Sequence, residues 1–367
     1  MATKTTLKAI AEYLNLSIST VSKALADSKE ISEPTKIVVK NTARQLKYRP
    51  NAMARGLKNN HTMTLGVVIP NILHTFFAKV LMGMEEEAHK NGYNLVTCIS
   101  NESLAKEKQS LNMLCDVSVD AIIISLASET QQTEEIEHLK NILHYDIPLV
   151  MFDRVSSLVD CDSVVINDYK GAFDATSYLI EIGCKNIAFL SCLSKTSVGK
   201  KRLTGYEDAI KAKGSSTTKI INTSLNNLDA DLNTFISNNA IDAILTTDES
   251  SAIYTMNTLR TNGLEVPHDV SVIGFTDGNL ARNYFPSVTT VNQQAEIMGS
   301  KAIKIAIENI NRTVTKAASQ EIIETEINRQ FFINKAIKLW TDIPATLKDC
   351  PSIHSFKFLY KSLIFSE

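Results

Sequence analysis

The chain has 367 residues, 44% of them hydrophobic, and a formal net charge of −2, which excludes a disordered or strongly polyionic protein. That length is too great for one ordinary core, so two or three structural units are expected. Nothing approaches about 18 continuous apolar residues, and Lys4 and Lys8 are not followed by a signal-type apolar segment, so a cytoplasmic protein is expected.

The charge is unevenly spread. Residues 1–60 hold eleven Lys/Arg and four Asp/Glu, a net of +7, which leaves 27 Lys/Arg and 36 Asp/Glu, a net of −9, for the remainder. Within that basic head, Leu7, Ile10, Ala11 and Leu14 fall on one helical stripe, with Thr6 placed to cap it. Asn15-Leu16 breaks the pattern, and Ser17 can cap a second helix. Its Val21, Ala24 and Leu25 face inward, leaving Ser19, Thr20, Ser22 and Lys23 outside. Ser32-Glu33-Pro34 opens a third helix with Val39, Ala43 and Leu46 on its apolar face. Two short helices joined by a tight turn, on a basic head, are the footprint of a helix-turn-helix that meets nucleic acid.

Asn51 can cap one more short helix through Leu57, followed by the polar linker from Lys58 to Thr62. It has too little apolar surface to stand alone.

From Thr64 onward, short apolar runs alternate with amphipathic stretches. Strands are predicted at Leu65–Ile69, Asn94–Ile99, Ala121–Ser125, Leu149–Phe152, Val164–Ile166, Ile187–Ser191, Ile220–Thr223, Ala243–Thr246, Val270–Gly274 and Val288–Asn292. Helices between them include Phe77–Asn91, Ser103–Cys115, Tyr169–Ile182, Lys200–Ala212 and Ser250–Asn262, with Gly92, Gly183, Gly214 and Gly263 closing the first and the last three. Such alternation predicts parallel sheets covered by helices on both faces. Ligands of such sheets bind beyond the carboxyl ends of the strands. Those ends carry Pro70-Asn71, Asp153-Arg154, Asn167-Asp168, Thr247-Asp248 and Thr276-Asp277, a set suited to hydroxyl-rich ligands.

Cys98, Cys115, Cys161, Cys184, Cys192 and Cys350 show no C-x-x-C and no paired-histidine spacing, so neither a metal site nor a cofactor is expected. G-x-S-x-G, H-E-x-x-H and G-x-G-x-x-G are all missing, and Gly199-Lys200 lacks the rest of a phosphate loop, with Ser194 for the first Gly and Lys201 for Ser/Thr. An enzyme is not expected. The competing reading is a solute-binding or sugar-processing α/β protein without a gene-regulatory role.

Taken in order, TLKAIAEYLNLSISTVSKAL, YRPNAMARGL, LGVVIPN, FFAKVLMGMEEEAHKNGY, VDAIIIS, IPLVMFDR, VVINDYKGAFDATSYLIEIGCKNIAFL, KRLTGYEDA, VPHDVSVIGFTDG and PSVTTVNQ resemble the LacI/GalR family of bacterial transcription regulators, from about Thr6 to Arg329. The resemblance implies an all-α helix-turn-helix head (residues 1–50) and a hinge helix with linker (51–62). It further implies a two-lobed α/β core of the periplasmic-binding-protein type (63–330) for effector binding and dimerisation. Residues 331–367, with the sole tryptophan Trp340, form an extension of unassigned role.

By the same resemblance the protein is a homodimer on a palindromic operator, and a repressor controlled allosterically by a small molecule, a sugar or sugar derivative. Ile18, Ser19 and Lys23 fall where base edges are read, with Ser17, Thr20 and Ser22 nearer the phosphates, and Thr6 is a further DNA-binding candidate. Ile18 also lies three before Val21 and seven before Leu25, so core packing competes with a thymine contact. Leu57 falls where relatives wedge a leucine into the minor groove, between Arg55 and Lys58 as phosphate contacts and after Asn51. The effector residues implied are Asp153, Arg154, Arg202, Thr247, Asp248, Thr276 and Asp277, with Phe76 or Phe77 as a stacking face, although Phe77 also fits the core stripe of its helix. Thr276 and Thr247 depart from the commonest residues of the family.

Overall fold

The computed structural model describes residues 5–48, 61–212, 218–276, 278–312 and 317–328. They fall into two compact units divided between Thr64 and Leu65.

The first unit is three helices, α1 (Leu7–Leu14), α2 (Ile18–Leu25) and α3 (Glu33–Gln45). Side chains close the open amino ends of α1 and α2: Thr6 Oγ1 accepts the Ala9 N–H at 3.2 Å and Ser17 Oγ accepts that of Thr20 at 3.0 Å. Asn15 takes a left-handed conformation, φ 53°, and so ends α1. Ile10, Ala11, Val21, Ala24, Val39 and Ala43 form the buried centre, with Leu7, Leu14, Leu16, Leu25, Ile31 and Leu46 against it. Residues 51–60 of the expected hinge and the extension 331–367 lie outside the described residues.

The second unit begins with β1 (Thr64–Ile69), α4 (Thr75–Lys90), β2 (Asn94–Ile99), α5 (Leu104–Asp116), β3 (Ala121–Ile124), α6 (Ser128–Thr133), α7 (Glu137–His144), β4 (Leu149–Phe152) and β5 (Asp162–Ile166). The chain then builds a second layer from α8 (Asp168–Glu181), β6 (Ile187–Ser191), α9 (Ser197–Ala212), β7 (Lys219–Asn222), α10 (Leu228–Asn238), β8 (Ala243–Thr246), α11 (Glu249–Thr261), β9 (Ser271–Phe275), α12 (Asn279–Asn283) and β10 (Thr289–Asn292). It returns through α13 (Ala295–Ile310) and ends on β11 (Gln320–Ile323) and β12 (Glu326–Asn328).

One sheet has the order β11-β5-β4-β3-β1-β2 and the other β12-β10-β9-β8-β6-β7. Parallel pairing joins β1 to β3, β3 to β4, β4 to β5 and β5 to β11 in the first, and β7, β6, β8, β9 and β10 in the second; β12 runs antiparallel on β10. β3, β4, β6 and β8 are buried along their whole length, as strands covered on both faces must be.

The chain passes between the lobes three times, after β5, after β10 and after β11. The first and third passages are joined: Asn167 N–H donates to the Ile323 carbonyl at 2.9 Å, and Asn167 Nδ2 to Glu324 at 3.1 Å. α13 crosses α4 at backbone contact. A Cβ on Gly83 would lie 2.0 Å from the Glu296 carbonyl oxygen, and one on Gly299 2.0 Å from that of Val80.

The apolar runs of the sequence place ten of these strands within one or two residues of their observed ends. β11 and β12 were not anticipated. Their sequences, QEII and EIN, carry no buried run, and they are held by pairing to strands more than a hundred and fifty and thirty residues away in sequence, Gln320 beside Ser163 and Asn328 beside Thr290.

Candidate DNA-binding and effector sites

On the head, the turn ended by Asn15 presents the amino end of α2. Ser17, Ile18 and Ser19 are exposed there, Ile18 at 49%. Between the two readings of Ile18, core packing is thereby excluded, because Val21 and Ala24 fill the centre instead. The Ser17 hydroxyl also lies 2.8 Å from that of Ser19 and 2.7 Å from that of Thr20. Lys23 forms an ion pair with Glu30. Asn51, Arg55, Leu57 and Lys58 lie outside the described residues.

In the core, the carboxyl ends of β4, β5, β8 and β9 bring Asp153, Arg154, Asp168, Thr247, Asp248 and Thr276 to one edge of each sheet, all buried. Asp153 leaves β4 with a left-handed backbone, φ 56°, while its N–H still donates to the Val164 carbonyl at 3.0 Å. Burial pushes its carboxyl pKa up to about 6; the Arg154 charge pulls it down and Asp168 adds to the rise. Arg154 Nη1 donates to both oxygens of Glu102, at 2.8 and 2.6 Å, and its guanidinium lies 5.7 Å above the Phe77 ring.

Arg202, on α9, is 1% exposed. Its Nε and Nη2 both lie 2.7 Å from Asp168 Oδ1, its Nη1 donates to the Thr247 carbonyl, and its Cζ is 4.0 Å from the Phe275 ring centre. With its amide in the hydrogen-bonding orientation, Gln293 accepts from Arg202 Nη2 at 3.1 Å and donates to the Phe275 carbonyl at 3.2 Å. Burial raises the Asp168 pKa, and Arg202 opposes that rise.

Several expected site residues serve the fold instead. Phe76 and Phe77 lie in the core, edge to face at 5.2 Å, and Phe77 meets Phe152 at 6.3 Å. Phe77 is 2% exposed and Arg154 covers one face, so neither ring is the open stacking face that was expected. Helical spacing set Phe77 on the buried stripe of α4, and the core took it. Asp248 caps α11, accepting the Ser251 N–H and hydroxyl, each at 2.9 Å. His74 Nε2, from the first lobe, lies 3.9 Å from Asp248 Oδ1. Thr276 Oγ1 accepts the Gly278 N–H at 2.8 Å. Asp277 lies outside the described residues.

Glu102, Ser125 and Gln293 were missed. Ser125 and Gln293 directly follow β3 and β10, so the strand-end rule could have found both; Glu102 lies in the loop beyond β2. Three buried polar atoms at these ends have no hydrogen-bond partner among the described residues: Ser125 Oγ, Arg154 Nε and Thr247 Oγ1. The lobes also meet at Gln131, whose Nε2 donates to Ser197 Oγ at 3.0 Å and whose Oε1 accepts the Ser197 N–H at 3.1 Å. Val155, Ser156, Ser157 and Ser197 are shared walls of two cavities of about 670 and 240 Å3. No helix among the described residues is long and apolar enough to cross a membrane.

Residues 62–335 match the family described as periplasmic binding proteins and sugar binding domain of LacI family, and residues 6–51 match bacterial regulatory proteins, lacI family. The chain belongs to the LacI family. It is 33% identical over 318 residues to the HTH-type transcriptional regulator RegA of Clostridium saccharobutylicum, covering 84% of this chain and 93% of the relative. The HTH-type transcriptional repressor PurR of Vibrio campbellii is 30% identical over 315 residues, covering 83% and 92%. In fold it is similar to the lac repressor bound to ONPG in the repressed state, with a TM-score of 0.77 at 20% identity over 89% of this chain and 98% of that one. As a LacI-family member the protein is a transcriptional regulator with an operator-binding helix-turn-helix and an effector-binding domain, and not an enzyme.

Proposed function

We propose that the protein is a homodimeric repressor, resident in the cytoplasm, whose grip on a palindromic operator is controlled by a neutral sugar bound between the two lobes. The observation that carries the effector class is the set of buried groups at the strand ends without a hydrogen-bond partner among the described residues, Ser125 Oγ, Arg154 Nε and Thr247 Oγ1, next to the Asp153 carboxyl. A buried polar atom left without a partner costs roughly 1–3 kcal/mol, and a ligand rich in hydroxyls relieves several such costs at once. Both guanidiniums already hold a carboxylate, Arg154 on Glu102 and Arg202 on Asp168, so a neutral polyol suits the cleft better than an anion.

In this reading Thr6, Ser17, Thr20 and Ser22 meet phosphates while Ile18, Ser19 and Lys23 face the bases. Asn51, Arg55, Leu57 and Lys58 belong to a hinge helix whose leucine wedges the minor groove. Arg202 is the coupling element, since its partners Asp168 and Gln293 stand at two of the three passages between the lobes. A sugar that repositions Arg202 would shift the lobes and hence the operator affinity, and the coupling is reciprocal.

A thermal-shift screen of the full-length protein against neutral mono- and oligosaccharides, sugar phosphates and nucleobases tests this. A ligand at a hundred times its dissociation constant should stabilise the fold by about 2.7 kcal/mol. A neutral sugar hit that also changes operator affinity supports the reading; a hit confined to nucleobases or phosphates overturns it.

A further inference from the structure

Glu102 is not a strand-end residue, yet it organises the effector edge of the first lobe. Asn101 and Glu102 both adopt left-handed backbones, φ 49° and 61°, a conformation asparagine tolerates but one uncommon for glutamate. A glutamate there persists where surrounding contacts hold it. Here the Glu102 carboxylate accepts the Ser128 N–H at 2.8 Å, its carbonyl accepts that of Glu129 at 3.3 Å, and both carboxylate oxygens take Arg154 Nη1. The loops after β2, β3 and β4 are thus tied at one side chain.

The electrostatic consequence concerns what the cleft admits. Arg154 is the cation at the β4 end, and its guanidinium is buried against Phe77 beside Asp153. Left free, a buried arginine beside a ligand cleft would draw a phosphate or carboxylate, because the fork geometry and low local dielectric both favour it. With Glu102 in place that charge is already neutralised, and a dianion would face Glu102 and Asp153 as like charges.

We propose that Glu102 is a specificity-determining residue that, by holding Arg154, keeps the effector cleft selective for neutral over anionic ligands. The proposal rests on the placement of the effector at these strand ends. Glu102→Gln keeps an acceptor for the Ser128 N–H while removing the charge, and so should release Arg154 for an external anion.

Inorganic phosphate is the probe, titrated into full-length protein in a non-phosphate buffer at constant ionic strength, with thermal shift and calorimetry as readouts. Wild type should show no saturable binding. Glu102→Gln should bind phosphate saturably, with a dissociation constant at least about tenfold below the highest phosphate concentration at which wild type stays silent, and Glu102→Gln with Arg154→Met should lose that gain. Glu102→Asn gives the same reading if the glutamine variant does not fold. The proposal falls if wild type binds phosphate as well as the variant does, if the variant gains nothing, or if the gain survives loss of Arg154. Phosphate gain in the variant alongside silence of wild type toward every sugar would remove the sugar reading and leave this one. A sugar hit without phosphate gain would do the reverse.

Discussion

Arg202 and Asp168 form an ion pair in which both side chains are almost wholly buried, with Nε and Nη2 each 2.7 Å from one carboxylate oxygen. The pair stands where the chain first passes between the lobes, and the same guanidinium reaches the Thr247 carbonyl and Gln293 at the second passage. One side chain therefore touches both the strand ends and the passages between lobes, the position required by the coupling role proposed for it.

Removing either member should cost more than removing both. Arg202→Ala leaves Asp168 buried without its partner and should lower stability by roughly 3–5 kcal/mol in urea unfolding. Adding Asp168→Asn should recover part of that loss. Effector response should vanish in the single variant while its effector-free affinity for operator DNA is kept. A variant that still binds effector normally would remove Arg202 from the site.

The Asp153 carboxyl gives a pH signature of defined sign. Its pKa is raised in the folded protein to about 6 from the ordinary value of 3.8, so between those pH values the folded state holds the extra proton. Stability from this group is therefore present at low pH and is lost as the pH rises through about 6. Asp153→Asn should be favoured over wild type more at pH 7 than at pH 4, on the order of 2 kcal/mol more, and comparison of urea midpoints at the two values tests it.

On the head, Ser17 and Ile18 should separate folding from reading. Ser17→Ala removes the acceptor for the Thr20 N–H and should cost about 1 kcal/mol of thermal stability. Ile18→Ala, at an exposed position, should change stability by less than about 0.5 kcal/mol and yet weaken operator binding in a mobility-shift titration. Equal affinity for the operator would return Ile18 to the status of an ordinary surface residue.

Leu57→Ala should weaken operator binding while leaving effector affinity of the DNA-free protein unchanged. The expectation follows from the minor-groove wedge proposed for Leu57, in which unstacking is offset by the added contacts of a bent duplex. Operator bending measured by circular permutation should fall with it. Undiminished bending would place the wedge elsewhere.

The contact between α4 and α13 offers a packing test. Gly299→Ala puts a methyl group 2.0 Å from the Val80 carbonyl oxygen, a backbone atom that cannot swing away. The helices must separate, at a cost of roughly 1–3 kcal/mol in urea unfolding, whereas Gly263→Ala meets no neighbour and costs only its left-handed backbone, φ 74°.

What the sequence by itself determined was whatever depends on neighbours a few residues apart. The stripe of Leu7, Ile10, Ala11 and Leu14, the caps at Thr6 and Ser17, the apolar runs of β1 to β10 and the glycine stops at Gly92, Gly183 and Gly263 were all legible. Helical and strand periods are local geometry, so local residue choice records them. The ordered family motifs likewise carried the regulator reading. Tertiary structure alone decided which polar side chains are spent on the fold and which remain for a ligand. Arg154 is taken by Glu102 from 52 residues away, and Arg202 by Asp168 and Gln293. Those pairings follow from how two sheets and three passages bring distant loops together, and no periodicity in the chain encodes a distance of that kind.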